Sequence, residues 1–120
     1  SRGRYSNYEV SRGLTTDQLE KYFTREETHW AIKDELRGMA YFEKMNLLQP
    51  EMEYGRFDII FCRNVAIYFS KADRQTLFRN LSASLKDDGV LIIGATESLF
   101  DINEQLKRME YKGSAYYRNQ

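Results

Sequence analysis

Arg63 and Asn64 stand where an apolar run turns abruptly polar. In FDIIFCRNVAIYFSK, residues 57–71, the stretch Phe57–Cys62 is apolar apart from Asp58, and the chain is apolar again over 65–69. An arginine offers a planar fork of donors that grips a carboxylate through charge-assisted bonds, and an asparagine both donates and accepts. In an open α/β sheet, ligands bind beyond the carboxyl ends of the strands. With Phe57–Cys62 as such a strand, the pair is placed to meet a small ligand with several polar groups. The same two residues also suit a surface arginine and a turn-forming asparagine. Residue type alone leaves both readings open.

Other reactive side chains are few. The single histidine, His29, lies beside Trp30 and reads as a structural or exposed group rather than a catalyst. The single cysteine, Cys62, cannot build a disulfide framework or a multi-cysteine metal site. In an apolar strand it reads as a small buried hydrophobe. No metal site is expected. Lys+Arg and Asp+Glu both number 18 in 120 residues. Such a balance, without a basic block, argues against nucleic acid or an anionic membrane as main partner. The apolar runs are too short to span a bilayer and SRGRYSNYEV is no signal peptide, so a cytoplasmic setting is expected.

The elements around these residues can be read in turn. Thr15 with Gln18 three residues on has the spacing of a capping box, and Leu14 and Leu19 that of a hydrophobic staple. Leu19, Tyr22 and Phe23 then share a helical face. Around Trp30 and Ile32 the pattern suits a strand, 34–38 a bend, and 39–42 a second strand, together a hairpin. A loop containing Pro50 and Gly55 follows. Phe57–Cys62 reads as a buried strand, with Asp58 at its start as a structural residue. Ser70 caps a helix whose stripe is Leu77, Phe78, Leu81 and Leu85, with Gly89 as its stop. VLIIGA, residues 90–95, is another apolar strand. Strand, helix, strand with both strands apolar throughout predicts a parallel βαβ unit. LKRMEYKGSAYYRN, divided by Gly113, predicts an antiparallel hairpin at the sheet edge.

Here the residues become recognisable. FDIIFCRNVAIYF resembles the pattern FD-x-I-FCRN-x-x-IYF of the chemotaxis receptor methyltransferases, the CheR family. The resemblance runs in order through GRYS at residue 3, Glu9–Val10, LEKYF at 19–23, DEL at 34–36 and NLL at 46–48. It continues through L-K-x-x-G at 85–89, G-x-x-E-S at 94–98 and AYYR at 115–118. It implies an α/β fold: part of a Rossmann-like class I methyltransferase sheet with helices and a small inserted antiparallel β-subdomain, at 14–42. Residues 43–120 would be the C-terminal strands and helices of the sheet. The implied activity is transfer of a methyl group from S-adenosylmethionine to glutamate side chains of chemoreceptor cytoplasmic domains, leaving S-adenosylhomocysteine. Matched by motif, Asn46 and Leu47 would contact the adenosyl portion of the cofactor from one strand end, and Arg63 and Asn64 would contact the cofactor from the end of the next. Tyr68 lies close to the transfer site. Glu97-Ser98, after a strand end, either approaches this site or caps the next turn.

The resemblance also implies segments with no counterpart here. These are a helical N-terminal domain, a first strand with a Gly-rich turn, and a second strand ending in an acidic residue. The seven glycines include no G-x-G pair. The chain thus resembles the C-terminal portion of the enzyme, and the isolated piece is expected to be inactive and to bind cofactor weakly or not at all. Without its neighbours Phe57–Cys62 has an open apolar edge, which predicts self-association. Some members add a receptor's C-terminal peptide to the β-subdomain through a Gly-containing loop. Here the matching loop is TREETH, acidic and without glycine, and reads as a solvated turn. A non-catalytic module that binds receptor tails is the alternative reading.

Overall fold

The computed structural model describes residues 3–49 and 55–120. The chain divides into two compact units, at 44/45. Pro50, expected in a loop, lies outside the described residues.

The first unit is a three-stranded antiparallel sheet with short helices. Strand β1 (Arg4–Ser6) leads into helix α1 (Asn7–Ser11), which Ser6 and Glu9 close with a reciprocal capping box. Helix α2 (Thr16–Tyr22) starts at the expected Thr15–Gln18 box. It stops where Phe23 turns extended, so Phe23 opens strand β2 (Phe23–Arg25) instead of continuing the helical face. Strand β3 (His29–Ile32) is central, in the order β1-β3-β2. The hairpin is therefore β2–β3, with Glu26 N donating to the His29 carbonyl at 2.7 Å. Trp30 Nε1 donates to Asn7 Oδ1 at 2.7 Å, and Tyr5 meets Phe23 edge-on with ring centroids 5.8 Å apart.

The expected second strand at 39–42 is absent. Asp34–Arg37 forms helix α3, and Met39, Tyr41 and Phe42 are exposed in irregular chain. A strand persists only where a neighbour takes its N–H and C=O groups. Among the described residues none pairs with this segment.

The second unit holds the core. Strand β4 (Phe57–Cys62), a 3₁₀ turn (Ala66–Tyr68), helix α4 (Lys71–Ala83) and strand β5 (Leu85–Ile93) form the βαβ unit, with β4 and β5 parallel. Strands β6 (Leu106–Tyr111) and β7 (Ser114–Asn119) make the expected hairpin, giving the order β4-β5-β7-β6. Its turn residues Lys112 (φ 50°) and Gly113 (φ 81°) are both left-handed, the two-residue turn that matches strand twist. Ser70 Oγ accepts from Asp73 N at 3.2 Å and starts α4 as expected. Leu77, Phe78 and Leu81 bury its inner stripe against Leu91, Ile93, Leu106 and Tyr117. Asp58 binds Lys86 Nζ at 3.2 Å in an exposed pair.

Two expectations fail around the end of α4. The helix stops at Ser84, whose hydroxyl turns back to the Asn80 carbonyl at 3.0 Å, and Leu85 is already the first residue of β5. Gly89 is not a helix stop. It lies in β5 where the register with β4 slips, and a Cβ there would come 2.8 Å from the Phe57 carbonyl oxygen. Close backbone approach is what calls for glycine at this point.

Nor is β4 buried. Among the described residues it is an edge strand with Cys62 inside, while Ile59 (53% exposed) and Phe61 (69%) face outward. Register puts Ile59 and Phe61 beside Val90 and Ile92, on the face away from α4. No helix among the described residues is long and apolar enough to cross a membrane.

Candidate functional site

Beyond the last paired residues of β4 and β5, Cys62 and Ile93, both chains turn away from the sheet. Arg63 follows β4 directly and is exposed. It lines an open groove of about 1080 Å³ together with Val90, Ile92, Glu97, Arg108 and Tyr116. The groove thus combines an arginine, apolar strand residues and a carboxylate, a setting that suits a ligand of mixed polarity.

Asn64 adopts φ 59°, a left-handed conformation that asparagine tolerates better than most residues. Its backbone N–H donates to Glu97 Oε2 at 3.0 Å, and the same oxygen accepts from Gly94 N at 2.6 Å. At Gly94 a Cβ would collide with Asn64 Oδ1 and come 2.5 Å from Glu97 Oε2. Gly94 therefore forms a small cradle into which two polar side chains fold. Burial, and then the charge of Glu97, push the Cys62 thiol up to about 11. It stays protonated at neutral pH, which makes it a poor nucleophile.

Asn46 and Leu47 sit on a loop held from below by α4. Buried Asn80 donates from Nδ2 to the Leu47 carbonyl at 3.4 Å and to the Gln49 carbonyl at 2.8 Å. Leu47 and Leu48 pack on the core cluster, while Asn46 Oδ1 accepts from Leu48 N at 3.0 Å. The exposed Asn46 is thereby held in a tight turn. Tyr68 ends the 3₁₀ turn with its side chain 83% exposed.

The structure thus brings Arg63 and Asn64 to one strand end, joined there by Gly94 and Glu97. Of the five residues singled out, only Arg63 lines the groove; Asn46, Leu47, Asn64 and Tyr68 do not. Two residues that organise the region carry weak sequence signals. Asn80 is a polar residue inside an otherwise apolar helix stripe. Glu97 is an acid placed just past an apolar strand. His29 is exposed, with Nδ1 2.7 Å from Thr28 Oγ1, and belongs to the first unit.

The groups present suit part of a site for S-adenosylmethionine, which carries a carboxylate, a sulfonium and a polar nucleoside. Arg63, which lines the groove, has a fork of donors that suits the first.

Comparison with known proteins agrees. Residues 1–114 match the family model described as CheR methyltransferase, SAM binding domain. Chemotaxis protein methyltransferase 1 of Pseudomonas aeruginosa is 32% identical over 117 residues, covering 97% of this chain and 43% of that protein. The chemotaxis protein methyltransferase of Escherichia coli K12 is 34% identical over 115 residues, covering 92% of this chain and 39% of that protein. That of Borreliella burgdorferi is 35% identical over 100 residues, 82% of this chain and 34% of its own length. The chain spans less than half the length of these relatives. With the FCRN strand end in place and residues 1–114 of the chain matched by the family model, the chain belongs to the CheR methyltransferase family, within its S-adenosylmethionine-binding domain.

Proposed function

We propose that this chain contributes the C-terminal half of the cofactor site in an S-adenosylmethionine-dependent protein-glutamate O-methyltransferase acting on chemoreceptor cytoplasmic domains. The observation that carries the reading is the strand-end turn, where Glu97 holds the Asn64 backbone and the adjacent Arg63 lines an open groove, in a chain of this family. The cofactor, when bound, supplies a methyl group already activated by its sulfonium. A glutamate carboxylate is ionised near neutral pH, so no general base is required. What remains for protein side chains is to hold the partners in line. Arg63 pairs with a carboxylate, Asn64, Asn46 and Leu47 hold the nucleoside part, and Tyr68 stands beside the acceptor. The reaction takes place in the cytoplasm, and the isolated chain binds weakly and does not turn over.

Calorimetric titration of the 120-residue chain with S-adenosylhomocysteine tests the residue roles. The expected result is weak saturable heat that an Arg63→Ala, Asn64→Ala variant loses, a drop of about tenfold or more in affinity. Equal heat in both proteins would remove Arg63 and Asn64 from the site.

The isolated chain also associates with itself through β4. This edge is six residues long and its outward side chains Ile59 and Phe61 are apolar and exposed. Such an edge pairs with another chain. Light scattering is expected to give a mass that rises with concentration; a monodisperse monomer at high concentration would count against it.

A further inference from the structure

We propose that Glu97 is a positioning residue that locks the turn carrying Arg63 and Asn64, by taking backbone N–H groups from both parallel strand ends onto one carboxylate oxygen. The inference rests on the reading that Arg63 and Asn64 meet the ligand, and it adds a residue that fixes them there.

The need arises from how two parallel strands end. Once β4 and β5 diverge past Cys62 and Ile93, neither Asn64 nor Gly94 has a ladder carbonyl among the described residues to receive its N–H. Unpaired backbone donors at a partly buried strand end are costly. Glu97 Oε2 takes both, at 3.0 Å and 2.6 Å. Its own N–H donates to the Gly94 carbonyl at 3.0 Å, closing the turn that returns the side chain to the strand end. An ionised carboxylate accepts such bonds more strongly than a neutral group. Asn64, held left-handed at φ 59°, is kept there by one of them. Gly94 completes the arrangement, because a side chain at that position would occupy the space of Asn64 Oδ1 and Glu97 Oε2. The lock joins residues 33 apart in sequence, so local chain preference alone does not make it.

Three substitutions in the 120-residue chain decide it, read by hydrogen exchange resolved to single amides. Glu97→Ala removes the acceptor, and exchange at Asn64 and Gly94 is expected to rise about tenfold or more. Glu97→Gln keeps one oxygen of the right reach, and both amides are expected to stay within about threefold of wild type. Ser98→Ala is the control: it removes a different local bond, Phe100 N to Ser98 Oγ at 3.1 Å, and leaves Asn64 and Gly94 unchanged. The β6–β7 amides keep their wild-type rates throughout. Unchanged exchange at Asn64 in Glu97→Ala overturns the proposal. So does Glu97→Gln behaving like Glu97→Ala with the hairpin loosened, which would make Glu97 a general stabiliser. Binding of S-adenosylhomocysteine, weakened by Ala and restored by Gln, extends the lock to ligand recognition. A wild-type chain with protected amides and no such binding would overturn the cofactor reading and retain the lock.

Discussion

Gly94→Ala is expected to unseat Asn64 and Glu97 while leaving the sheet folded. The added Cβ would lie 2.5 Å from Glu97 Oε2 and overlap Asn64 Oδ1. Both are ends of side chains, which swing aside more cheaply than backbone moves. Swinging Glu97 away breaks two charge-assisted bonds at once. Because Glu97 is partly exposed, water replaces much of what is lost, and the effect on stability is about 1 kcal/mol. The local effect is larger: exchange at the Asn64 amide is expected to rise about a hundredfold. NMR spectra would show shifts confined to residues near 62–65 and 93–98. Asn64 and Glu97 signals at wild-type positions would mean that the Cβ finds room and the cradle is not a constraint.

Phe78→Ala carries the largest expected loss of stability. Phe78 is 2% exposed and belongs to the cluster that joins α4 to the sheet. Truncating a buried phenylalanine removes its transfer free energy and leaves a cavity, together about 3–5 kcal/mol. Small domains have about 5–15 kcal/mol in all. Among the described residues this unit covers one face of its sheet with a helix, so its reserve is expected to lie at the lower end. The midpoint of thermal unfolding should fall by about 15 °C or more. Phe100→Ala is the matched comparison: Phe100 is 90% exposed, and its loss is expected to change stability by less than about 0.5 kcal/mol. Calorimetry of both variants checks the pair, and a similar midpoint for the two would contradict the core assignment.

What was legible in the sequence follows the range over which each signal acts. Caps and turns are local, so Thr15 with Gln18, Ser70, and Gly113 mark element starts and a hairpin that the structure contains. Ser6 and Glu9 form an equally local capping box, with the same spacing of three residues. The strand–helix–strand order also survived, because apolar runs and a helical stripe report it directly. Burial did not. FDIIFC is apolar on both faces, as in a strand with neighbours on each side, yet among the described residues it has one. The 39–42 segment failed for the same reason: strand residues without a partner strand remain irregular. Gly89 was misplaced because its role, room for the Phe57 carbonyl, depends on a strand distant in sequence.

At the site, Arg63 and Asn64 fell at a strand end as their polarity indicated. Glu97 had two readings, approach to the site or a cap on the next turn. Its carboxylate goes to the strand ends, whereas the bond to Phe100 N comes from Ser98. No spacing rule links Glu97 to Asn64, because the contact exists only once two parallel strands lie side by side.

The two ladders of the second unit set different tasks for the folding chain. β6 and β7 meet across a two-residue turn, so their pairing is local, and hairpins of this kind close in about 1–10 μs. β4 and β5 meet only when Ile59 finds Val90, with all of α4 between them. Closing that longer loop is entropically harder, and pairings distant in sequence form later. β4 is thus expected to be seated last and to come away first, taking Arg63 and Asn64 with it. Assembly of the ligand-facing turn and completion of the fold are then one event: a molecule that presents this turn in working order has already finished folding.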